Sequence, residues 1–404
     1  SARRVPGAAE AVTGPIDVAA ALAQRDFMTG DWDDAGQIPW LEGKGIKLVR
    51  GTGRLTGTKS VEVSLVEGAT RSLVARAAVV LACGTTPAIP PIEGLADAAP
   101  WDNRDATSVR ELPRSLLVLG GGAIGAEMAQ CLRRLGVVEV IVVEGGPRLL
   151  GREEPFAGEQ VRVAFEAEGI SVLTGVRMQA VARRGTEGPI TATLGDGRTI
   201  AADEILVAVG RRPNTARLGL ETVGLAALAG KFLAVDRQLR VKGVGDWLYA
   251  VGDCNGLALL THMGKYQARL AGDVICGRDV ADVADYGKVP RVTFTDPQVC
   301  AVGLTVAEAR KAAIDVRAVS YPTGDVAGAY TLGNGIAGTS QLVIDEARRV
   351  VVGATFTGPG TQELLHSATI AVVGEVPLER LWHAVPSFPT VSEVWLRLLE
   401  EHGY

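Results

Sequence analysis

No apolar run in this chain approaches the roughly 20 residues that a bilayer-spanning helix requires. The N-terminal residues SARRVPGAAEAV lack the apolar core of a secretory signal. A cytoplasmic protein with no membrane partner is therefore expected. Basic excess is missing too. The formal net charge is −5, which offers no electrostatic footprint for nucleic acid. Cysteine is sparse and scattered: Cys83, Cys131, Cys254, Cys276 and Cys300, no two of them at CxxC or CxxxxC spacing. That argues against a disulfide framework and against a zinc site, and the five read as small buried apolar residues. His262, His366 and His402 show no partner spacing that suggests a metal, and His383 reads as a packed or surface side chain. No metal site is expected.

What is present is a chain of 404 residues, 47% hydrophobic and 22% charged, an ordinary soluble composition. At a prior of ~150 residues per domain it needs two or three cores. AAEAVTGPIDVAAALAQRDF carries helical spacing broken at Gly14 and Pro15. GIKLVRGTGRL, SVEVSLVEG and SLVARAAVVLACG read as strands. The last ends in a near-continuous apolar run, as a buried parallel strand does. Leu112-Pro113 marks a boundary. Beyond it come strand, glycine turn and helix in RSLLVLGGGAIGAEMAQCLRRLG. A strand follows in VEVIVVEGG, a helix in VRVAFEAEG, and several short strands up to Leu206. WLYAVGDCNG is another apolar strand with a glycine turn, and a helix follows over His262 to Ile275. Past Pro290, short strands alternate with amphipathic helices, which suggests a separate α+β domain. One echo recurs: VVLACGTTP and ILVAVGRRP each exit an apolar strand through Gly, two residues and Pro.

The strongest motif is GxGxxG at Gly120, Gly122 and Gly125, inside LLVLGGGAIGAE. An apolar strand precedes it and a helix follows, the context that gives the motif meaning. The first glycine permits the tight turn. The second lets the backbone approach a pyrophosphate, and the third lets helix and strand pack closely. The helix N-terminus then offers free N–H groups and a positive dipole end. Ala123 and Ile124 complete the loop. Glu144 closes the next strand, roughly 20 residues on, where an acid accepts hydrogen bonds from the adenosine ribose. A 2′-phosphate would meet that carboxylate, so NAD is favoured over NADP, although Arg148 lies nearby. A rival match, GTGRLTG, has its third glycine misplaced and runs into an alternating strand, so it reads as a hairpin.

With these motifs in hand, the chain resembles the FAD-dependent pyridine nucleotide–disulfide oxidoreductases. VVLACGTTPAIPPIEG resembles the family's crossing from FAD to NAD domain, and GGGAIGAE its NAD fingerprint. VAVGRRPNT resembles the segment beside the nicotinamide, and YAVGDCNGLALLTHMGKYQAR the second FAD motif. VTFTDPQVCAVGLT resembles the opening of the dimer-interface domain. The resemblance implies an α/β fold: a Rossmann-type NAD domain inserted in a partial FAD domain, then an α+β dimerisation domain. The implied boundaries are 1–112 and 245–289 for the FAD domain, 113–244 for the NAD domain and 290–404 for the interface. It implies FAD and NAD (NADP possible) as cofactors, a homodimer, and a small-molecule or disulfide substrate. Cys83, Gly84, Thr85, Gly252, Asp253, Leu260 and Thr261 would line FAD, with Asp253 on the ribitol. Val209 and Gly210 would lie beside the nicotinamide. Glu127 would sit where nicotinamide meets flavin, and the family's aromatic gate would fall at Ala123. Glu127 and Glu393 are the implied catalytic carboxylates.

Three departures qualify the resemblance. The family's first βαβ unit, with its own GxGxxG and CxxxxC helix, is not in these residues, so weak FAD retention is expected. The C-terminal His-Pro-Thr…Glu motif reads Phe388-Pro389-Thr390-Val391-Ser392-Glu393, and phenylalanine cannot shuttle protons. The C-terminus, Glu-Glu-His-Gly-Tyr, lacks the vicinal cysteines of mercuric reductases. The reading is a flavoprotein passing hydride from NADH (or NADPH) through FAD to a disulfide, quinone or other acceptor. The alternatives are a nicotinamide-binding dimer without flavin turnover and a diaphorase without disulfide chemistry. The apolar side chains of VSEVWLRLLEEH are expected to need a partner or a core.

Overall fold

The computed structural model describes residues 2–185 and 188–404. Thr186 and Glu187, in the stretch expected to carry short strands, lie outside the described residues. Two compact units form: Ser1–Ile16, Ala88–Val209 and Gly287–Tyr404 in one, Asp17–Pro87 and Gly210–Tyr286 in the other. Among the described residues no helix is long and apolar enough to cross a membrane.

The first unit is built on a four-stranded parallel sheet, in the order Glu204–Val207, Ser115–Leu119, Glu139–Glu144, Ile170–Thr174. Sequentially last beside first requires crossovers, and the helices Ala123–Leu135 and Pro155–Ala167 supply two of them. The strand Ser115–Leu119 is buried from Leu116 onwards, which is why it reads as an unbroken apolar run rather than an alternating one. Phe165 has no exposed surface beneath the second helix, a burial that stabilises by about 1.5–3 kcal/mol. An antiparallel three-stranded sheet (Met178–Arg183, Ile190–Leu194, Thr199–Ala202) branches from this layer. The C-terminal part carries a five-stranded antiparallel sheet, Arg291–Thr293, Gln298–Gly303, Val350–Gly358, Thr339–Asp345, Val316–Pro322.

The second unit holds the hairpin Gly51–Gly57/Ser60–Leu65 with Thr70–Val74 added antiparallel. The expected hairpin at GTGRLTG is the first of these turns. Val79–Leu81 pairs in parallel with Leu248–Ala250. Thr85–Pro87 pairs antiparallel with Arg211–Pro213. The two Gly–x–x–Pro exits that echo one another in sequence are thus hydrogen-bonded to each other.

The units part after Val209, so residues 210–244 pack with the second unit, while 290–404 share a unit with the dinucleotide sheet. The reason is that 211–213 find their ladder partner at 85–87. The helix Val394–His402 finds the core that its apolar spacing calls for: Val394, Trp395, Leu398 and Leu399 are buried in their own unit, against the sheet strands. The exposed apolar side chains there are instead Ile370, Val373, Val385 and Phe388.

Candidate active site

Each fingerprint glycine has a separate physical reason. Gly120 has φ +108°, and a Cβ there would lie 2.6 Å from the Ala208 carbonyl oxygen. At Gly125 a Cβ would lie 2.0 Å from the Gly120 carbonyl oxygen, so helix and turn can approach only without it. At Gly122, by contrast, a Cβ would meet nothing within 4 Å. That open space fronts the helix Ala123–Leu135, whose N-terminus has no side-chain cap. Uncapped N–H groups beside an open, Cβ-free backbone are what a pyrophosphate needs.

Glu144 is held in place. Its Oε2 accepts from the Gly121 backbone N–H and its Oε1 from the Gly146 N–H, both at 2.6 Å. The strand-end acid thereby fixes the glycine loop, and its remaining lone pairs are available to ribose hydroxyls. Gly121 and Gly146 were not legible as partners, because backbone donors carry no sequence signal. Ala123, Val209 and Gly210 are exposed and Ile124 is partly so.

Glu127 projects from the same helix and accepts from the Phe294 backbone N–H at 2.8 Å. Burial raises its carboxyl above the ordinary value of 4.5, and the Phe294 bond only partly opposes this. A raised folded-state value means the native state binds the proton more tightly than the unfolded state. Stability therefore rises as pH falls through the folded value, and levels off below 4.5. Glu127→Gln, which keeps an acceptor for Phe294, is expected to gain in urea midpoint over the parent at pH 8. That gain should shrink as pH falls towards 4.5; a difference independent of pH would contradict the burial argument.

In the second unit, Gly84 has φ +63° and open space where a Cβ would stand, and Gly252 has φ +72°. Asp253 Oδ2 accepts from the Thr85 hydroxyl at 2.7 Å. The Arg211 Nε donates to the same hydroxyl oxygen at 2.5 Å and lies 3.8 Å from Asp253. Arg211 was missed, although the echo that placed it was visible. The helix Thr261–Ile275 begins at Leu260 with no side-chain cap, and Thr261 is exposed. Glycines stripped of side chains at Gly84 and an uncapped helix fit a flavin dinucleotide. Cys254 is buried in the apolar cluster of this unit, and Cys83 packs against the same cluster.

Glu393 is 8% exposed; one oxygen pairs with Arg397 at 3.1 Å and the other has no donor. Phe388, in the position of the expected acid–base group, is 76% exposed. Among the described residues no group of three or more His, Cys, Asp or Glu could hold a metal ion.

A Rossmann sheet with a complete phosphate-binding turn and a strand-end acid defines a nicotinamide-dinucleotide oxidoreductase. The chain matches the pyridine nucleotide-disulphide oxidoreductase family over residues 9–270, and that family's dimerisation domain over residues 289–398. It belongs to this family. It is 30% identical to the dihydrolipoyl dehydrogenase of Mycobacterium tuberculosis, across 86% of this chain and 74% of that protein. It is 31% identical to the mercuric reductase of Acidithiobacillus ferrooxidans, across 96% of this chain and 69% of that one. The solved structure of LpdA from Mycobacterium tuberculosis superposes with a TM-score of 0.85 at 26% identity, covering 100% of this chain and 86% of that one. The HOCl-induced flavoprotein disulfide reductase RclA of Escherichia coli, in a copper(II) complex, has the same fold, with a TM-score of 0.85 at 21% identity, over 94% and 85% of the two chains. The chain is thus an FAD-dependent NAD(P)H oxidoreductase with an α/β fold and a dimerisation domain.

Proposed function

We propose that this protein oxidises NADH in preference to NADPH. The observation that carries this is Glu144, pinned between the Gly121 and Gly146 N–H groups at the ribose end of the turn. A 2′-phosphate brought there would confront a carboxylate whose position is fixed. Gly120, Gly122, Ala123, Ile124 and Gly125 would hold the pyrophosphate, with Val209 and Gly210 beside the nicotinamide. Cys83, Gly84, Thr85, Gly252, Asp253, Leu260 and Thr261 would hold FAD, Asp253 accepting from its ribitol. FAD held there would supply the acceptor for nicotinamide hydride and the onward path for its electrons. Glu144→Ala is expected to narrow the NADH-over-NADPH preference by about 1–3 kcal/mol, the scale of a charged hydrogen bond. Titration of both nucleotides checks it, and equal affinities in the parent would end the proposal.

The acceptor is read from Phe388. With phenylalanine where the family places a proton shuttle, and Glu393 left with an undonated oxygen, a thiol–imidazole relay is not built from this segment. This favours an acceptor that needs no such relay, a quinone-class oxidant, over a disulfide. NADH turnover with a soluble quinone that survives thiol alkylation supports this reading; turnover only with a disulfide, abolished by alkylation, refutes it.

We further propose a two-fold homodimer. Its support is the family's dimerisation domain together with Ile370 at 57%, Val373 at 60% and Phe388 at 76% exposure. The C-terminal segment with Phe388 and Glu393 would then complete the partner's site. Sedimentation at micromolar concentration should give a dimer that Ile370→Asp/Val373→Asp dissociates. A monomeric parent would defeat the proposal.

A further inference from the structure

The turn Gly252–Asn255, which carries Asp253, follows the buried strand Leu248–Ala250. A side chain from the next helix fixes it. The Gly252 N–H donates to Gln267 Oε1 at 2.7 Å, and the Asn255 Nδ2 donates to the same oxygen at 2.8 Å. Both lone pairs of that oxygen are thereby used. Asn255 also ties the turn at its two ends, its Nδ2 donating to the Ala250 carbonyl at 3.1 Å and its Oδ1 accepting from the Leu257 N–H at 3.0 Å. Gln267 lies in the helix Thr261–Ile275 and has no exposed surface; Asn255 is 5% exposed. Helix and turn approach closely because two glycines face each other: a Cβ on Gly264 would lie 3.4 Å from the Gly252 Cα.

The Gln267 amide is oriented from its other end. Its Nε2 donates to the Tyr286 hydroxyl at 2.9 Å, and that hydroxyl donates in turn to Asp282 Oδ2. Asp282 is 8% exposed, and its Oδ1 accepts from the Ala284 N–H at 2.9 Å and from the Tyr266 hydroxyl at 3.3 Å. With three donors aimed at it, this carboxylate serves as an acceptor alone. Tyr286 therefore points its proton at Asp282, which leaves an oxygen lone pair for Gln267. Gln267 in turn faces its oxygen to Gly252 and Asn255; the flipped amide would set its NH2 against two buried donors. One carboxylate thus sets the sense of each bond up to the turn. Burial, and after it the bond to Asp282, hold the Tyr286 hydroxyl protonated well above the ordinary phenol range.

We propose that Gln267 and Tyr286, anchored on Asp282, are positioning residues for flavin: they hold the turn Gly252–Asn255 so that Asp253 meets the FAD ribitol. This rests on the reading of Asp253 as the ribitol acceptor. Gln267 has no surface to offer a cofactor, so it acts through the turn. The Gly252 N–H reports on it directly, since its acceptor is the Gln267 side chain.

The test uses the full chain with Gln267→Met, which keeps an unbranched side chain of similar length, and Tyr286→Phe, which removes only the hydroxyl. Hydrogen–deuterium exchange of the FAD-free chain is read by mass spectrometry over residues 250–256. Both variants should exchange faster there than the parent, while the strand Ser115–Leu119 exchanges as before. FAD titration follows, on the parent and on an Asp253→Ala background. Gln267→Met should raise the Kd for FAD roughly tenfold in the parent, the scale of one lost buried hydrogen bond, and leave it unchanged once Asp253 is alanine. A merely structural Gln267 would weaken FAD equally on both backgrounds, and that result would overturn the proposal. So would exchange over 250–256 that neither variant alters. Asp253→Ala without effect on FAD would instead refute the ribitol reading of Asp253, and with it the link from the turn to flavin.

Discussion

Gly125→Ala is expected to abolish NADH binding and to lower the stability of the dinucleotide-sheet unit by about 3 kcal/mol or more, the upper end of overpacking costs. The added methyl would sit 2.0 Å from the Gly120 carbonyl oxygen and 3.1 Å from its carbon. No side-chain rotation relieves that contact, since the obstacle is backbone. Gly120 cannot move aside, because it is confined at φ +108° against Ala208 and Val209. The helix Ala123–Leu135 must instead lift from a strand whose Leu116, Leu117 and Val118 are 1% exposed or less. For a domain stable by ~5–15 kcal/mol that is a large fraction. Gly122→Ala is the control that separates packing from ligand contact. Its methyl meets nothing within 4 Å, so the urea midpoint should hold while NADH affinity falls. A Gly125→Ala midpoint within ~0.5 kcal/mol of the parent, the range of neutral surface changes, would show the turn is more pliable than this geometry allows.

The contrast between those two glycines shows what sequence can carry. GxGxxG announces both, because turn, phosphate approach and helix packing each demand glycine at a fixed offset. Glu144 is legible for the same reason: it ends the strand following the turn. The parallel strands Ser115–Leu119 and Leu248–Ala250 and the helix Thr261–Ile275 are legible because apolar periodicity reports burial locally. Contacts made by ladder pairing over long separations leave no such trace. The pairing of 85–87 with 211–213 joins two segments of the second unit, and it brings Arg211 to Thr85 and Asp253. The fate of the helix Val394–His402 shows another limit. Amphipathic spacing identifies a face that must be covered, but its own sheet or a second chain would cover it equally well. Here its own sheet does so, with Trp395 tilted against Phe356 at 6.1 Å and its indole N–H donating to Ser367 at 3.1 Å.

Arg183→Ala should cost the same unit about 3–5 kcal/mol, the penalty for removing one partner of a buried ion pair. The Arg183 side chain is 5% exposed and pairs with Glu204, whose side chain is 15% exposed. Its Nε donates to the Ala98 carbonyl at 2.6 Å and its Nη1 to that of Gly188 at 3.0 Å. One guanidinium therefore ties the branching sheet at 178–183 to the connector at 98 and to the edge strand Glu204–Val207. Alanine would leave the Glu204 carboxylate with only the Ile205 N–H at 2.9 Å and strand three carbonyl acceptors, those of Ala98, Gly188 and Asp203. Because Glu204 opens the strand that leads into Val209 and Gly210, disorder there should also weaken NADH binding, and by more than surface charge removal would. The pair itself is a different matter from its halves. Joint replacement, Arg183→Met with Glu204→Leu, exchanges two desolvated charges for apolar packing and should recover most of the loss. A double-mutant cycle in urea measures this directly. If the double variant loses as much as Arg183→Met and Glu204→Leu summed, the coupling is absent, and Arg183 acts through its carbonyl bonds rather than through the carboxylate.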